Sequence, residues 1–353
     1  MQTVMFVVGP ALGHVGRSLT IARALRSSGR ELNIVFAAVS PGNGHRLLAP
    51  EFECLPLQYS EPGDETFADN LESTVTSLAP DMICLDLSPS PWLYLVRLPE
   101  IRRAYVTNVF LTSLVPTETT QVLHLRKRHG KWNRRRRRRG LPELDDVKTL
   151  YDADEILLCD PIAIVPRGVT IADPYSVIGP CVWQPSEPTP PVTSSAQRQL
   201  LVTLGSTGPK RLPRKQVARL IASLGCDSTV WVVDKLNSRP LRRLDEVHAG
   251  VPLGPILQDS ILAVTHGGAG STYAALSARV PVAVWPRTRN HEILGDLLTG
   301  AGLGARVADI ADLGPAEIRR KVENMKVEAE RLRVASPTAT GPERAAKILL
   351  AAL

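Results

Sequence analysis

The tightest constraint on this chain is an alternation of short, unbroken apolar runs with amphipathic stretches, halted once by a proline-rich segment and then begun again. "TVMFVVG" ends in glycine, "SLTIARALRSSG" follows with apolar residues at helical spacing and Gly29 at its end, and "ELNIVFAAV" is a second apolar run. "PDMICLDL", "RRAYVTNVF" and "ADEILLCD" continue the series. Apolar runs of this length, too short to cross a membrane and alternating with helices, predict a parallel sheet covered on both faces. Residues 183–197, "WQPSEPTPPVTSSAQ", set four prolines among polar residues with no periodicity and predict an extended linker. Beyond it "QLLVTLGS", "QVARLIASLG", "STVWVVD", "SILAVTHGG", "STYAALSA" and "VPVAVWP" restart the alternation. The expected fold class is α/β, with two doubly wound, Rossmann-like parallel-sheet domains: 1–182, the linker 183–197, and 198–353. The final helix, "GPERAAKILLAAL" opened by Pro342, is placed at the end of the second domain or packed back on the first. A length of 353 residues, 44% of them hydrophobic, is enough for two cores at roughly 100 to 200 residues per domain.

Charge is distributed unevenly. The formal net charge is +7, but ten of the 42 Lys and Arg fall between Arg126 and Arg139 with no carboxylate among them, so the other 32 face 35 Asp and Glu and the rest of the chain carries −3. Six consecutive arginines, Arg134 to Arg139, go right around a helix, so several must face solvent or the segment must fray. Gly140 and Pro142 just beyond them mark a helix end. The five cysteines are widely separated, odd in number and without a C-x-x-C pair, which suits buried thiols of a reducing compartment. The opening "MQTVMFVVGP" has neither a basic leader nor the ~20 apolar residues of a membrane helix, and a cytoplasmic protein is the expectation, with peripheral contact at an inner membrane face through the arginines as the variant.

The most informative segment is "ILAVTHGGAGSTYAALSARVPVAVWP", Ile261 to Pro286. An apolar strand runs into a glycine loop, and a helix is expected to open at Ser271 or Thr272. Glycines let the backbone approach a ligand, and the unpaired N–H groups of a new helix favour an anion such as a diphosphate. A tight strand-to-helix turn without ligand has the same spacing. The segment closely resembles the C-terminal signature of the UDP-glycosyltransferase superfamily, whose GT-B fold sets two Rossmann-like domains across a central cleft: H-G-G-x-G-[ST], an apolar helix, then G-V-P and a strand ending in proline. "GPALGHVGRSLTIARALRSSG" resembles the family's opening loop, and "VTLGSTG" the turn that opens its second domain. The three signatures, in order, cover most of the chain.

The resemblance implies an inverting, metal-independent transferase of bacterial natural-product type. It would move a sugar from a UDP- or dTDP-linked donor to a hydroxyl of a small, secondary-metabolite-like acceptor, with the donor as co-substrate and no other cofactor. His14 matches the general base and Asp86, at the end of a Pro-Asp strand, the carboxylate that orients it; a helix-capping histidine and an N-cap aspartate are the bland alternatives. The donor side is expected to comprise Gly13, Ser206, Thr207, His266, Gly267, Gly268, Gly270 and Ser271. Two positions depart from the family pattern. Ala274 stands where many members bind ribose with Glu, and "RTRNHEILGD" replaces the usual Asp-Gln, leaving Asn290 and His291, or with a one-residue slip His291 and Glu292, as the sugar-binding candidates.

Other patterns carry less. "HEILG" lacks the second histidine of a zinc-protease helix, "DAD" at Asp152 to Asp154 precedes a strand rather than a glycine loop, and "GSTGPKR" is too short for a P-loop. Competing functions are transfer to a lipid-linked acceptor at a cytoplasmic membrane face, with the arginines meeting anionic head groups; a sugar-nucleotide epimerase of the same fold; an inactive homologue; and a nucleic-acid binder working through the arginines. The last has no aromatic platform or recognised module, and no nucleic-acid partner is expected.

Overall fold

A computed structural model of the chain describes residues 1–40, 44–112, 114, 122–184, 198–205, 214–233, 245–249, 252–334 and 340–353. Ser206, Thr207 and most of the expected linker lie outside the described residues. Two compact units are present, and the chain passes from one to the other at Cys181–Val182.

The first unit runs β1 (Gln2–Val8), α1 (Leu12–Arg26), β2 (Leu32–Ser40), α2 (Gly44–Leu48), β3 (Glu53–Gln58), α3 (Glu65–Leu78), β4 (Met82–Asp86), α4 (Pro89–Trp92), β5 (Arg102–Thr107), α5 (Val122–Arg138), β6 (Glu155–Leu158) and β7 (Tyr175–Val177). Its seven strands are all parallel, in the order β3-β2-β1-β4-β5-β6-β7. The unbroken apolar runs are the central strands, as burial on both faces requires: Val4 to Val8 of β1 and Met82 to Asp86 of β4 are buried throughout. Phe6 and Phe36 stack at 5.1 Å on neighbouring strands.

The second unit runs β8 (Gln199–Thr203), α6 (Arg214–Leu224), β9 (Ser228–Val233), β10 (Asp245–Ala249), α7 (Leu253–Gln258), β11 (Ser260–Thr265), α8 (Ala269–Ser277), β12 (Val282–Val284), α9 (Arg289–Gly300), β13 (Gly304–Arg306), α10 (Val307–Ala311) and α11 (Pro315–Val334), and it also takes in the short segment Pro161–Pro166. Its six parallel strands lie in the order β10-β9-β8-β11-β12-β13. The last helix, α12 (Gly341–Ala352), belongs to the first unit and packs on α1. Thr340 and Glu343 open it with a reciprocal capping box, so Pro342 accompanies the start rather than setting it.

The arginine run is built into the first unit. α5 ends in a Schellman turn: Leu141 N–H donates to Arg136 O at 2.9 Å, Gly140 N–H to Arg137 O at 3.0 Å, and Gly140 takes the left-handed φ of 68° that the motif needs. Trp132 stacks on Tyr94 at 5.3 Å, which seats the helix on the core. Arg135 donates to Tyr94 Oη at 2.6 Å, and the buried Arg136 to the carbonyls of Pro142 at 2.6 Å and Tyr94 at 2.7 Å. Arg137 pairs with Glu143, and Arg139 with Asp69 at 2.7 Å and Glu72 at 3.1 Å. Four of the six side chains thus have partners in their own unit, although Arg137 is exposed like Arg134 and Arg138. Among the described residues no helix is long and apolar enough to cross a membrane.

Both sheets reverse their strand order at one place, between β1 and β4 in the first unit and between β8 and β11 in the second. In open parallel sheets the carboxyl ends of the strands flanking such a reversal form the ligand crevice. His14 and Asp86 sit at the first of these places and His266 to Ser271 at the second.

Candidate functional site

In the first unit His14 lies on the first turn of α1, just past β1, and Asp86 is the last residue of β4. The structure brings them together: His14 Nδ1 is 2.6 Å from Asp86 Oδ1. The imidazole does not cap α1, whose N-cap is Ala11 with no side-chain bond, and Asp86 does not cap α4, whose N-cap is Ser88. Asp86 is fully buried while the His14 side chain keeps 25% of its surface. Gly13, the other candidate beside them, is exposed on the same turn.

Sequence reasoning missed the rest of the cluster. Arg17, one turn beyond His14, is buried and grips the same carboxylate, with Nε 3.0 Å from Oδ2 and Nη2 2.5 Å from Oδ1. Ser18 Oγ donates to Oδ2 at 2.8 Å. Arg17 Nη1 also donates to Asn108 Oδ1 at 2.6 Å, and Asn108 Nδ2 donates to the buried Asp160 Oδ1 at 3.0 Å. Burial works to raise the Asp86 pKa, but the charges and hydrogen bonds of Arg17 and His14 outweigh it and bring the carboxyl down to about 2. Burial works to lower the Arg17 pKa, and Asp86 reverses it, so the guanidinium stays charged. The signal for Arg17 was present as a lone charge on the apolar "VGRSLTIA" stretch of α1.

In the second unit α8 begins at Ala269, two residues before the earliest start read from the sequence, because Gly268 adopts the extended N-cap conformation. Gly270 and Ser271 therefore lie inside the first turn, where N–H groups have no intrahelical acceptor. Gly267 takes a φ of 88°, open to glycine, and a side chain there would run into His291. His266, immediately after β11, is buried and meets His291 edge to face at 4.8 Å. Burial, then the neighbouring His291, lowers the His266 pKa to about 3; burial, then Arg287, lowers that of His291 to about 4. Both rings are neutral near pH 7. His266 Nδ1 and Asn290 Oδ1 are buried without a hydrogen-bond partner among the described residues. The Arg287 N–H donates to His291 Nδ1 at 3.3 Å, which leaves the His291 proton on Nε2. Glu292 pairs with Arg289 at 2.7 Å, while His291, common to both registers, is the candidate brought to His266. Gly205, past the end of β8, was also missed; a Cβ on Gly205 or on Gly268 would strike the His266 ring. Ala274 is half-buried on α8.

Solved structures with the same chain course decide the fold. The glycosyltransferase of kitacinnamycin superposes with a TM-score of 0.75 at 20% identity over 100% of this chain and 99% of that one. The spinosyn rhamnosyltransferase gives a TM-score of 0.68 at 16% identity over 99% and 100%, and has been solved with thymidine diphosphate and with spinosyn aglycone. This chain has the GT-B fold. Its sequence relatives point the same way as the motifs: the NDP-glycosyltransferase YjiC of Bacillus licheniformis is 27% identical over 176 residues, 46% of this chain and 42% of that protein. The oleandomycin glycosyltransferase of Streptomyces antibioticus is 27% identical over 176 residues, 48% of this chain and 41% of that protein. Each match spans about two fifths of the relative's length. No family model matches the chain.

Proposed function

We propose that this chain is a GT-B glycosyltransferase that moves a sugar, with inversion, from a nucleoside-diphosphate sugar to a hydroxyl of a small natural-product-like acceptor. The observation that carries the reading is the 2.6 Å contact between His14 Nδ1 and the fully buried, ionised Asp86 at the strand reversal of the first sheet. Nδ1–H donates to the carboxylate, which fixes the tautomer and leaves the lone pair on Nε2. That nitrogen takes the proton of the acceptor hydroxyl as its oxygen attacks the anomeric carbon. The bond to the diphosphate oxygen breaks on the opposite face, and a single displacement of this kind inverts the centre.

The leaving diphosphate gains negative charge, and the second unit offers it uncharged donors. First-turn N–H groups of α8 and the positive end of its dipole suit a phosphate oxygen, and the buried, unpartnered His266 Nδ1 is a polar group that a ligand would satisfy. In this reading Gly267 and Gly268 allow close approach, Gly270 and Ser271 lie in the phosphate-facing turn, and Asn290 and His291 face the sugar. The charge of the leaving group is met without a metal step. Support for a nucleoside-diphosphate donor is the spinosyn rhamnosyltransferase solved with thymidine diphosphate, together with relatives named as an NDP-glycosyltransferase and an oleandomycin glycosyltransferase. Transfer to a lipid-linked acceptor gains little from the arginine run, since four of its six side chains are engaged within their own unit.

Calorimetric titration with UDP, dTDP and GDP, and with their glucose conjugates, tests the reading. One of the uridine or thymidine nucleotides is expected to bind in the micromolar range, and the absence of binding by all three would sink it.

A further inference from the structure

The carboxylate that orients His14 is shared. A fully buried aspartate facing only an imidazole would strongly favour the imidazolium, and a base that already holds its proton cannot take another. Here Arg17 donates to both oxygens of Asp86, sharing Oδ1 with His14, and its Nη2 stands 3.5 Å from His14 Nδ1. Arg17 is itself fixed, by Asn108 Oδ1 at 2.6 Å and by the Val106 carbonyl at 3.2 Å.

Resting on the reading of His14 as base, we propose that Arg17 is a positioning residue for the transfer reaction: it holds the Asp86 carboxylate where it receives Nδ1–H, and it sets a positive charge 3.5 Å from Nδ1 that opposes the charge of an imidazolium. Asp86 neutralises Arg17, so the carboxylate orients the ring without trapping a proton on it. Forming the imidazolium then places a positive ring against a paired carboxylate, and the second carboxylate of the row, Asp160, lies beyond Asn108.

The other titratable groups near this row are few among the described residues. β4 brings Cys84, β5 brings Tyr105, and Cys159 and Cys181 follow β6 and β7; burial raises the pKa of Cys84, Tyr105 and Cys159, so these three stay uncharged near neutrality. Neither β1 nor β2 carries a titratable side chain. Of the helices packed on α1, α2 brings Arg46 and α12 brings Glu343, Arg344 and Lys347. Glu343 is taken by the Thr340 N–H and Arg344 by the Ile178 carbonyl. Arg17 is the cation in contact with Asp86.

The test is an NMR titration of the His14 ring in the full-length protein, its signal assigned by loss in His14→Ala, with no substrate present. In Arg17→Gln the midpoint is expected to rise by about one pH unit or more, and in Arg17→Lys, which keeps the charge, by less than about half as much. An Arg17→Gln midpoint within about 0.2 unit of the parent, or an Arg17→Lys shift as large as the Gln shift, would overturn the proposal. Should Arg17→Gln fail to fold, Asn108→Ala removes the acceptor that fixes Nη1 and is expected to raise the midpoint by a few tenths of a unit; an unchanged midpoint there overturns the proposal equally. The acid limb of kcat/KM, measured with the donor sugar that binds, is expected to move by the same amount. If the ring titration moves and the acid limb does not, His14 is not the base and the function reading fails while the action of Arg17 stands.

Discussion

The two units place their candidate residues at the same topological position and give them opposite electrostatics. At the β1/β4 reversal the residues are charged and interlocked: His14, Arg17 and Ser18 share the carboxylate of Asp86, and among the described residues the hydrogen bonds to it come from α1. At the β8/β11 reversal they are neutral and sparsely bonded: two imidazoles in edge contact, glycines around them, and buried polar atoms without partners among the described residues. A proton-transfer site needs a fixed tautomer and a tuned field, which a saturated ionic network supplies. A site for an anionic ligand needs donors left unpaired and room for the backbone to approach. On the proposed reading, one topology thus supports a site that is complete before a ligand arrives and one that a ligand would complete.

The largest expected effect separates them directly. His14→Ala is expected to lower turnover by roughly 100- to 10,000-fold, the range for losing a general base, while leaving nucleotide affinity within about twofold. Gly268→Ala is expected to do the reverse: a methyl group there meets the His266 ring, and nucleotide affinity falls by about tenfold or more, with turnover at saturating donor much less affected. Steady-state kinetics beside calorimetry read both. If either variant loses affinity and turnover together, the division of labour between the units is wrong.

Acid sharpens the comparison further. The folded His266 and His291 have pKa values of about 3 and about 4 against an ordinary 6.5, so below pH 6.5 the unfolded chain binds protons that the folded chain does not. Stability contributed by the neutral rings is full above pH 6.5 and falls steadily towards pH 4, by a few kcal/mol in sum. Asp86 behaves differently: its lowered pKa of about 2 gives stability that is present above the ordinary 3.8 and lost only as pH falls from there towards 2. Melting temperatures are therefore expected to drop between pH 7 and pH 5 through the second unit, and a His266→Asn/His291→Asn protein to show a much flatter dependence over that interval. An equal slope in parent and double variant would remove the neutral-imidazole account.

How much of this was legible beforehand follows from where the sequence carries redundant signal. The central strands were plain because burial on both faces demands unbroken apolar runs, as in "TVMFVVG" and "SILAVT". β3 and β13 were not, because β3 is an edge strand with alternating exposure and β13 has three residues. His14 and Asp86 were found through the resemblance to the UDP-glycosyltransferase superfamily, and His266 through that resemblance together with the glycine loop it opens. Asn108 and Asp160 were not, because their roles depend on β5 lying beside β4 and β6 beside β5, a sheet order no local pattern encodes, and Arg17 left only a lone charge on an apolar stretch. His291 was common to both registers read from the sequence, and its 4.8 Å contact with His266 depends on α9 lying beside the β11 loop, which neither register encodes.

The smallest expected effects concern the arginine run, and they test whether the charged character of the first unit resides in Arg17 or in that run. Arg136 is buried and serves two carbonyls, so Arg136→Gln leaves acceptors without their charged donor and is expected to cost about 1 to 3 kcal/mol of stability. Arg134 and Arg138 are exposed, and their change to Gln is expected to stay within about 0.5 kcal/mol. Because neither lies in the row that begins at His14, the acid limb of activity is expected to be unmoved in the Arg134→Gln/Arg138→Gln protein. Co-sedimentation with vesicles containing anionic lipid adds the remaining arm: two exposed arginines, each contributing about 1 kcal/mol near such a surface, give at most weak binding. Strong binding that these two substitutions abolish would show that the run has a second use, at a surface rather than in the fold, and would move part of the first unit's electrostatics out of its buried row and onto the end of α5.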